Sequence, residues 1–287
     1  MPQPEVLIDG LGSLHRAFTW HLCTILIKQD QSFGRYREHL GLPDAIDPLT
    51  LTKTLQFPAS AINVDKSSYD GNWEVFKSLL EQSAAPEEWL EDKIILIHGD
   101  LATKEKNNGL CKMCTIKKSA KNHLRFAFII PGLFHLKIAV TDAFWRTHVQ
   151  PTGGRDDQNR FYEYVHYLHP NETIKFLGTP GFCHLHDTIH HTTWIDVLNY
   201  WRIEVNGHGF NSCVVFADSK PSWASTIELS EGMVKRYLPG KDFDEQREEP
   251  KTKHDMVFKN MALHKQYGLL YLELSHAMNY GDIGHIL

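Results

Sequence analysis

Apolar residues fall into short dense blocks separated by polar, Gly- and Pro-marked breaks, and the spacing inside each block predicts its element. From Leu14 to Lys28 the apolar positions (Leu14, Ala17, Phe18, Trp20, Leu22, Ile25, Leu26, Ile27) cover nearly every side of a helix. Such a helix is enclosed by protein on all sides. A second short helix is expected near Phe33 to Leu40, and the Gly41, Pro43 and Asp47-Pro48 cluster then marks a loop. Ala59 to Asp65 reads as a short strand. After it, Asp70 or Asn72 is expected to cap a helix whose stripe is Trp73, Phe76 and Leu80. Pro86-Glu87-Glu88 has the chemistry of a helix first turn.

The block Ile94-Ile95-Leu96-Ile97 is continuous, aliphatic and mostly β-branched, and His98-Gly99-Asp100 ends it abruptly. That pattern predicts a strand buried on both faces, with an acidic residue at its carboxyl end. Open α/β sheets place their ligands at such strand ends. Arg125 to Pro131 predicts a second strand, and Gly132 to Val149 a buried helix. Beyond Pro151 helices take over, at Asp156–Tyr167, Asp187–Glu204 and Met256–Met278. A strand is expected at Cys213–Ala217, a capping box at Ser225–Glu228, and an exposed, mobile connection at Lys241–Asp255. The fold class is therefore α/β, a central sheet of buried strands, ribonuclease-H-like, with a mostly helical C-terminal half. Its parts are an N-terminal helical segment (1–60), an α/β core (61–150) and a mainly helical part (151–287).

Composition adds boundaries. With 42% hydrophobic and 23% charged residues the chain is an ordinary globular sequence. The longest apolar run, Ala17 to Ile27, is broken by His21 and too short to cross a bilayer, so no membrane partner is expected. The start Met-Pro-Gln-Pro-Glu lacks the basic region of a secretory signal, which predicts an intracellular protein, nuclear or cytoplasmic. Five cysteines, an odd number, predict reduced thiols. The net charge of −5 does not advertise nucleic acid as a partner. Charge is nonetheless uneven. Between Lys104 and Arg125 stand seven cations, Lys104, Lys106, Lys112, Lys117, Lys118, Lys121 and Arg125, against the single acid Glu105.

Three constellations carry chemistry. Asp65, Asp100 and Glu273 match the element types of two-metal nucleases, in which strand-end and late-helix carboxylates hold Mg²⁺ or Mn²⁺ ions about 4 Å apart. In that reading Lys104, Lys106, Lys117, Lys118 and Lys121 hold a nucleic-acid phosphate backbone, and His135, one turn into its helix, assists at Asp100. The alternative is a turn Asp, a capping Asp and a surface Glu in a non-catalytic nucleic-acid- or protein-binding module. Cys111-Lys-Met-Cys114 with His123 has zinc spacing, but a single pair disfavours a structural zinc protein. His186 and His190, at protease-like i, i+4 spacing, lie on a stripe with Trp194 and Trp201, which favours packed, hydrogen-bonded core histidines. No Walker lysine loop, Gly-x-Gly-x-x-Gly or Gly-x-Ser-x-Gly motif occurs.

Several longer runs occur in one order: Ala17-Phe18-Thr19-Trp20, Asn63-Val64-Asp65-Lys66-Ser67-Ser68-Tyr69-Asp70-Gly71-Asn72, His98-Gly99-Asp100-Leu101-Ala102-Thr103, Pro131-Gly132-Leu133-Phe134-His135-Leu136-Lys137, Asp142-Ala143-Phe144-Trp145-Arg146 and Glu273-Leu274-Ser275-His276-Ala277-Met278-Asn279-Tyr280-Gly281-Asp282-Ile283-Gly284. Together they resemble a large fungal family, a domain of unknown function abundant in mushroom-forming species. The resemblance implies no set activity; by analogy with transposase cores it implies descent from a mobile element. It also leads one to expect the domain to continue past Gly284.

Overall fold

Helices dominate the computed structural model, which describes residues 12–53, 55–65, 67–116, 120–149, 161–178, 180–238 and 256–286. The chain divides into two compact units, one made of Met1–Leu49 with Ala139–Leu287, the other of Thr50–Ile138.

The smaller unit holds α2 (Tyr69–Ser83), α3 (Glu87–Asp92), β1 (Ile95–Gly99), α4 (Leu101–Met113), α5 (Ala120–His123) and β2 (Ala127–Pro131). Residues 59–65 form no strand. The cap of α2 is Ser68, whose hydroxyl accepts the Gly71 N–H at 3.0 Å, and neither Asp70 nor Asn72 takes that role. Asn72 instead lies inside the first turn and donates its amide to the Ser68 carbonyl. β1 and β2 pair in parallel, in register from Ile95 with Ala127 to Gly99 with Pro131, and α4 lies in the connection between them. One face packs on Phe76, Leu90, Leu110 and Phe126.

The fold is a helix-rich α/β one, and its expected central sheet is a small parallel pair. Among the described residues the sheet has two strands, so both are edges. Leu96 is 59% exposed and Phe128 56%, which corrects the expectation of a strand covered on both faces. A continuous aliphatic run reports preference for a pleated surface, and it does not count how many layers cover that surface.

The larger unit is built around α1 (Ser13–Gln29), whose Ala17, Phe18, Leu22, Cys23, Ile25 and Leu26 are all buried. The unit also holds a 3₁₀ turn (Gln31–Tyr36), α6 (Leu133–His148) from Ala139 onward, α7 (Phe161–Leu168), α8 (Thr173–Leu177), α9 (Phe182–Gly207), α10 (Cys213–Asp218), α11 (Trp223–Tyr237) and α12 (Met256–Tyr280). The predicted strand at 213–217 is the helix α10. The Ser212 hydroxyl caps it by accepting the Val215 N–H, and this resolves the ambiguity of a five-residue apolar run in favour of helix. The cap of α11 is Ser222, three residues before the first residue of the predicted box, and it accepts the Ser225 N–H. The expected connection at 241–255 lies outside the described residues.

Trp201 is fully buried in the main core, and its indole N–H donates to the Leu22 carbonyl at 3.0 Å, pinning α9 to α1. α12 approaches α9 so closely that a Cβ on Gly268 would stand 2.4 Å from the Thr193 hydroxyl oxygen. Small residues permit such backbone proximity, which explains a glycine inside a 25-residue helix. Gly281, at φ +69°, ends α12. Asp282 then accepts the N–H groups of Ile46 and Asp47 at 3.0 and 2.9 Å, while Leu49 N–H donates to Gly281 O and Ile283 N–H to Asp47 O. This backbone clip fixes the segment that follows α12. Backbone donors on Asp282 hold its carboxyl below the ordinary range, although burial works the other way.

Candidate functional site

The three predicted carboxylates have separate roles. Asp65 is exposed, and its carboxylate accepts the Ser67 N–H at 2.8 Å; hydrogen bonds from Ser67 hold it below its ordinary pKa. Asp100 is the cap of α4, accepting the Thr103 N–H at 2.6 Å. Both belong to the smaller unit and both serve local turns. Parallel pairing of β1 and β2 brings the strand ends before Asp100 and before the helix of His135 to the same edge of the sheet. Among the described residues no group of three or more His, Cys, Asp or Glu side chains is placed to hold a metal ion.

The basic run separates too. Lys106 donates to the Ser67 carbonyl. Lys117 and Lys118 lie outside the described residues, and of Lys121 only its place in α5 is described. Lys104 comes together with Lys112, Arg125 and His123 around a cleft of about 510 Å³ between α4 and β2, and no carboxylate lines it. Cys111 also faces this cleft as a free thiol, with burial pushing its pKa up.

Glu273 is the predicted residue that sits in a built site. It is 3% exposed, on the inner face of α12. One carboxylate oxygen lies 2.7 Å from Nε2 of His21 on α1, and the other meets Nδ1 of His285 just beyond the clip. Burial raises the Glu273 pKa, but the hydrogen bonds and charge of His21 and His285 outweigh it and the net shift is downward. An ionised carboxylate can only accept, so both imidazoles donate to it. Each ring spends one nitrogen on Glu273, which leaves Nδ1 of His21 and Nε2 of His285 for other partners. Sequence reasoning missed both histidines. The available signals were His21 interrupting a helix apolar all round and His285 closing a Gly-Asp-Ile-Gly-His run.

His21 also lines a cleft of about 500 Å³ enclosed by α1, α9, α12 and the turn at 40–42. Aromatic rings line it. Trp20 and His276 have ring centroids 4.7 Å apart, His276 and Tyr280 4.3 Å, and Trp194 with His190 forms another part of the lining. The Trp20 indole donates to the Gly41 carbonyl and so holds the turn in place. Polar side chains of Thr24, Lys28, Gln29, Ser275 and Asn279 share the lining. Thr24 is 6% exposed and its hydroxyl has no hydrogen-bond partner among the described residues, while the exposed Lys28 brings a cation to the cleft. Burial, then the neighbouring His21, lowers the His276 pKa, so this ring is neutral at pH 7.

A second buried carboxylate occupies the same helical unit. Asp196 on α9 accepts the Tyr164 hydroxyl at 2.8 Å and stands 3.4 Å from Nδ1 of His264. His186 Nδ1 and the Tyr271 hydroxyl are 2.7 Å apart, so His186 is hydrogen-bonded as its stripe predicted, but half-buried and not in the core.

The sequence model of a family of unknown function, DUF6589, matches residues 6–287. The chain belongs to the DUF6589 family. No curated protein and no solved structure matches this DUF6589 chain. Among its described residues, no helix is long and apolar enough to cross a membrane.

Proposed function

We propose that this DUF6589 protein is a non-catalytic binding module that takes a small planar ligand bearing an anionic group in the cleft beside His21. The supporting observation is the convergence, in one cleft of about 500 Å³, of several aromatic rings, a buried Thr24 hydroxyl with no partner among the described residues, and the Lys28 cation. Aromatic walls accept a flat ring by offset stacking, a few convergent polar groups orient it, and a cation at the cleft favours a carboxylate or phosphate. Glu273 engages Nε2 of His21 and so leaves Nδ1 as the ring nitrogen available to such a ligand. The test is calorimetric titration with nucleoside monophosphates and aromatic carboxylates, alongside their uncharged counterparts. Tyr280, 56% exposed, can be removed without opening the core. Tyr280→Ala is expected to weaken binding about 5- to 150-fold, the range of one lost stacking partner, and Lys28→Gln to remove the preference for the charged member. No binding by any member, or binding indifferent to both changes, overturns the reading.

A second reading, nucleic-acid binding by the smaller unit, is favoured by the cleft where Lys104, Lys112 and Arg125 converge. It predicts that a fluorescent single-stranded oligonucleotide binds with a salt slope that falls by roughly 0.7 for each cation replaced by Gln. A slope unchanged in Arg125→Gln removes that reading. The transposase-like, ribonuclease-H-type version adds Mg²⁺- or Mn²⁺-dependent cleavage of the strand, lost in Asp100→Ala; equal products from both proteins dispose of it.

A further inference from the structure

Glu273 holds two histidines, and each lines a different cleft. The cleft on the His285 side has a volume of about 450 Å³ and lies between α6, α12 and the turn after the clip. Its lining is mainly apolar, with Val140, Ala143, Phe144, Leu270, Leu274 and Ile286, and Thr147 and Tyr267 add hydroxyl groups beside His285. Within it the His285 ring, whose side chain is 4% exposed, has a buried Nε2 with no hydrogen-bond partner among the described residues. A buried polar atom left without a partner is costly, so this atom calls for a complement. In the neutral form of the ring, with the Nδ1–H committed to Glu273, Nε2 presents a lone pair.

We propose that this second cleft binds a small apolar molecule carrying one hydroxyl, an alicyclic or aromatic alcohol, whose O–H donates to His285 Nε2 while its hydrocarbon body fills the space between α6 and α12. The clip at Asp282 and the bond to Glu273 set the ring in place beforehand. This site is independent of the reading proposed for the aromatic cleft.

The test is saturation-transfer NMR and titration with 4-tert-butylphenol and its methyl ether, which matches the body but has no proton to donate. The phenol is expected to bind roughly 2- to 13-fold more tightly than the ether, the worth of one neutral hydrogen bond. Ala143→Phe fills the cleft without touching His285 and is expected to abolish transfer to the tert-butyl signal. His285→Phe is expected to erase the preference for the phenol; should that protein fail to fold, the ether comparison and Ala143→Phe still decide. Equal affinity for phenol and ether, undiminished binding by Ala143→Phe, or absence of binding overturns the proposal. A loss of phenol binding in Tyr280→Ala with none in Ala143→Phe assigns the molecule to the aromatic cleft and overturns it equally.

Discussion

Replacing Glu273 by alanine is expected to destabilise the helical unit by about 3–5 kcal/mol, the cost typical of removing one member of a buried, hydrogen-bonded charge cluster. The carboxylate is the shared acceptor of two imidazole N–H groups from remote parts of the chain. Without it both donors stay buried and unpaired, and the segment after the clip loses its bond to α12. Glu273→Gln retains one acceptor oxygen but turns an NH₂ toward the other imidazole, so an intermediate loss is expected. Urea denaturation followed by circular dichroism measures both. An alanine protein within about 0.5 kcal/mol of wild type, the level of an ordinary surface change, would show that the cluster adds nothing. The pH dependence has a definite sign. Glu273 is held below its ordinary value of 4.5 and His276 below 6.5. In each case the unfolded chain binds the proton more tightly. The stability these groups contribute is complete above those values and is lost as the pH falls, first below 6.5 through His276 and then below 4.5 through Glu273. The Glu273→Ala protein is expected to keep the upper step and lose the lower.

Trp201→Ala is expected to cost about 3–5 kcal/mol, as for other large-to-small changes of a buried aromatic residue. The indole has no exposed surface, fills the core between α1, α9 and α11, and donates to the Leu22 carbonyl. Trp201→Phe separates the two contributions. It retains most of the apolar volume and loses the N–H, for which about 1–2 kcal/mol is expected. The same denaturation measurement checks both. Equal losses for Phe and Ala would place the whole effect in the hydrogen bond and none in packing.

The long elements were legible because their periodicity is unambiguous. The all-round apolar run of α1 and the span of α12 to the glycine past its end both follow directly from spacing. Short elements were less so. The run Cys213–Ala217 has strand-like side chains, and only the Ser212 cap, a local hydrogen bond, turns it into helix. The helix starts at Ser68 and Ser222 were displaced because several Ser, Asp and Asn residues compete for each cap, and the hydrogen bond alone decides among them. β1 was read as buried because composition reports what a strand prefers, whereas cover depends on the remainder of the fold. At the candidate site Glu273 was visible as an acid on a late helix. Its partners were not, since His21 stands 252 positions away and no local pattern links the two. Asp65 and Asp100 looked like strand-end acids for the same reason that they are good turn and cap residues: a short carboxylate next to free backbone N–H groups suits both.

The helical unit is discontinuous in the chain, with Thr50–Ile138 inserted after its first part. During synthesis α1 therefore leaves the ribosome well ahead of α9, α11 and α12, the helices that cover it. A segment greasy on every side waits uncovered while the inserted unit is translated, and helper proteins that shield nascent chains are needed most in that interval.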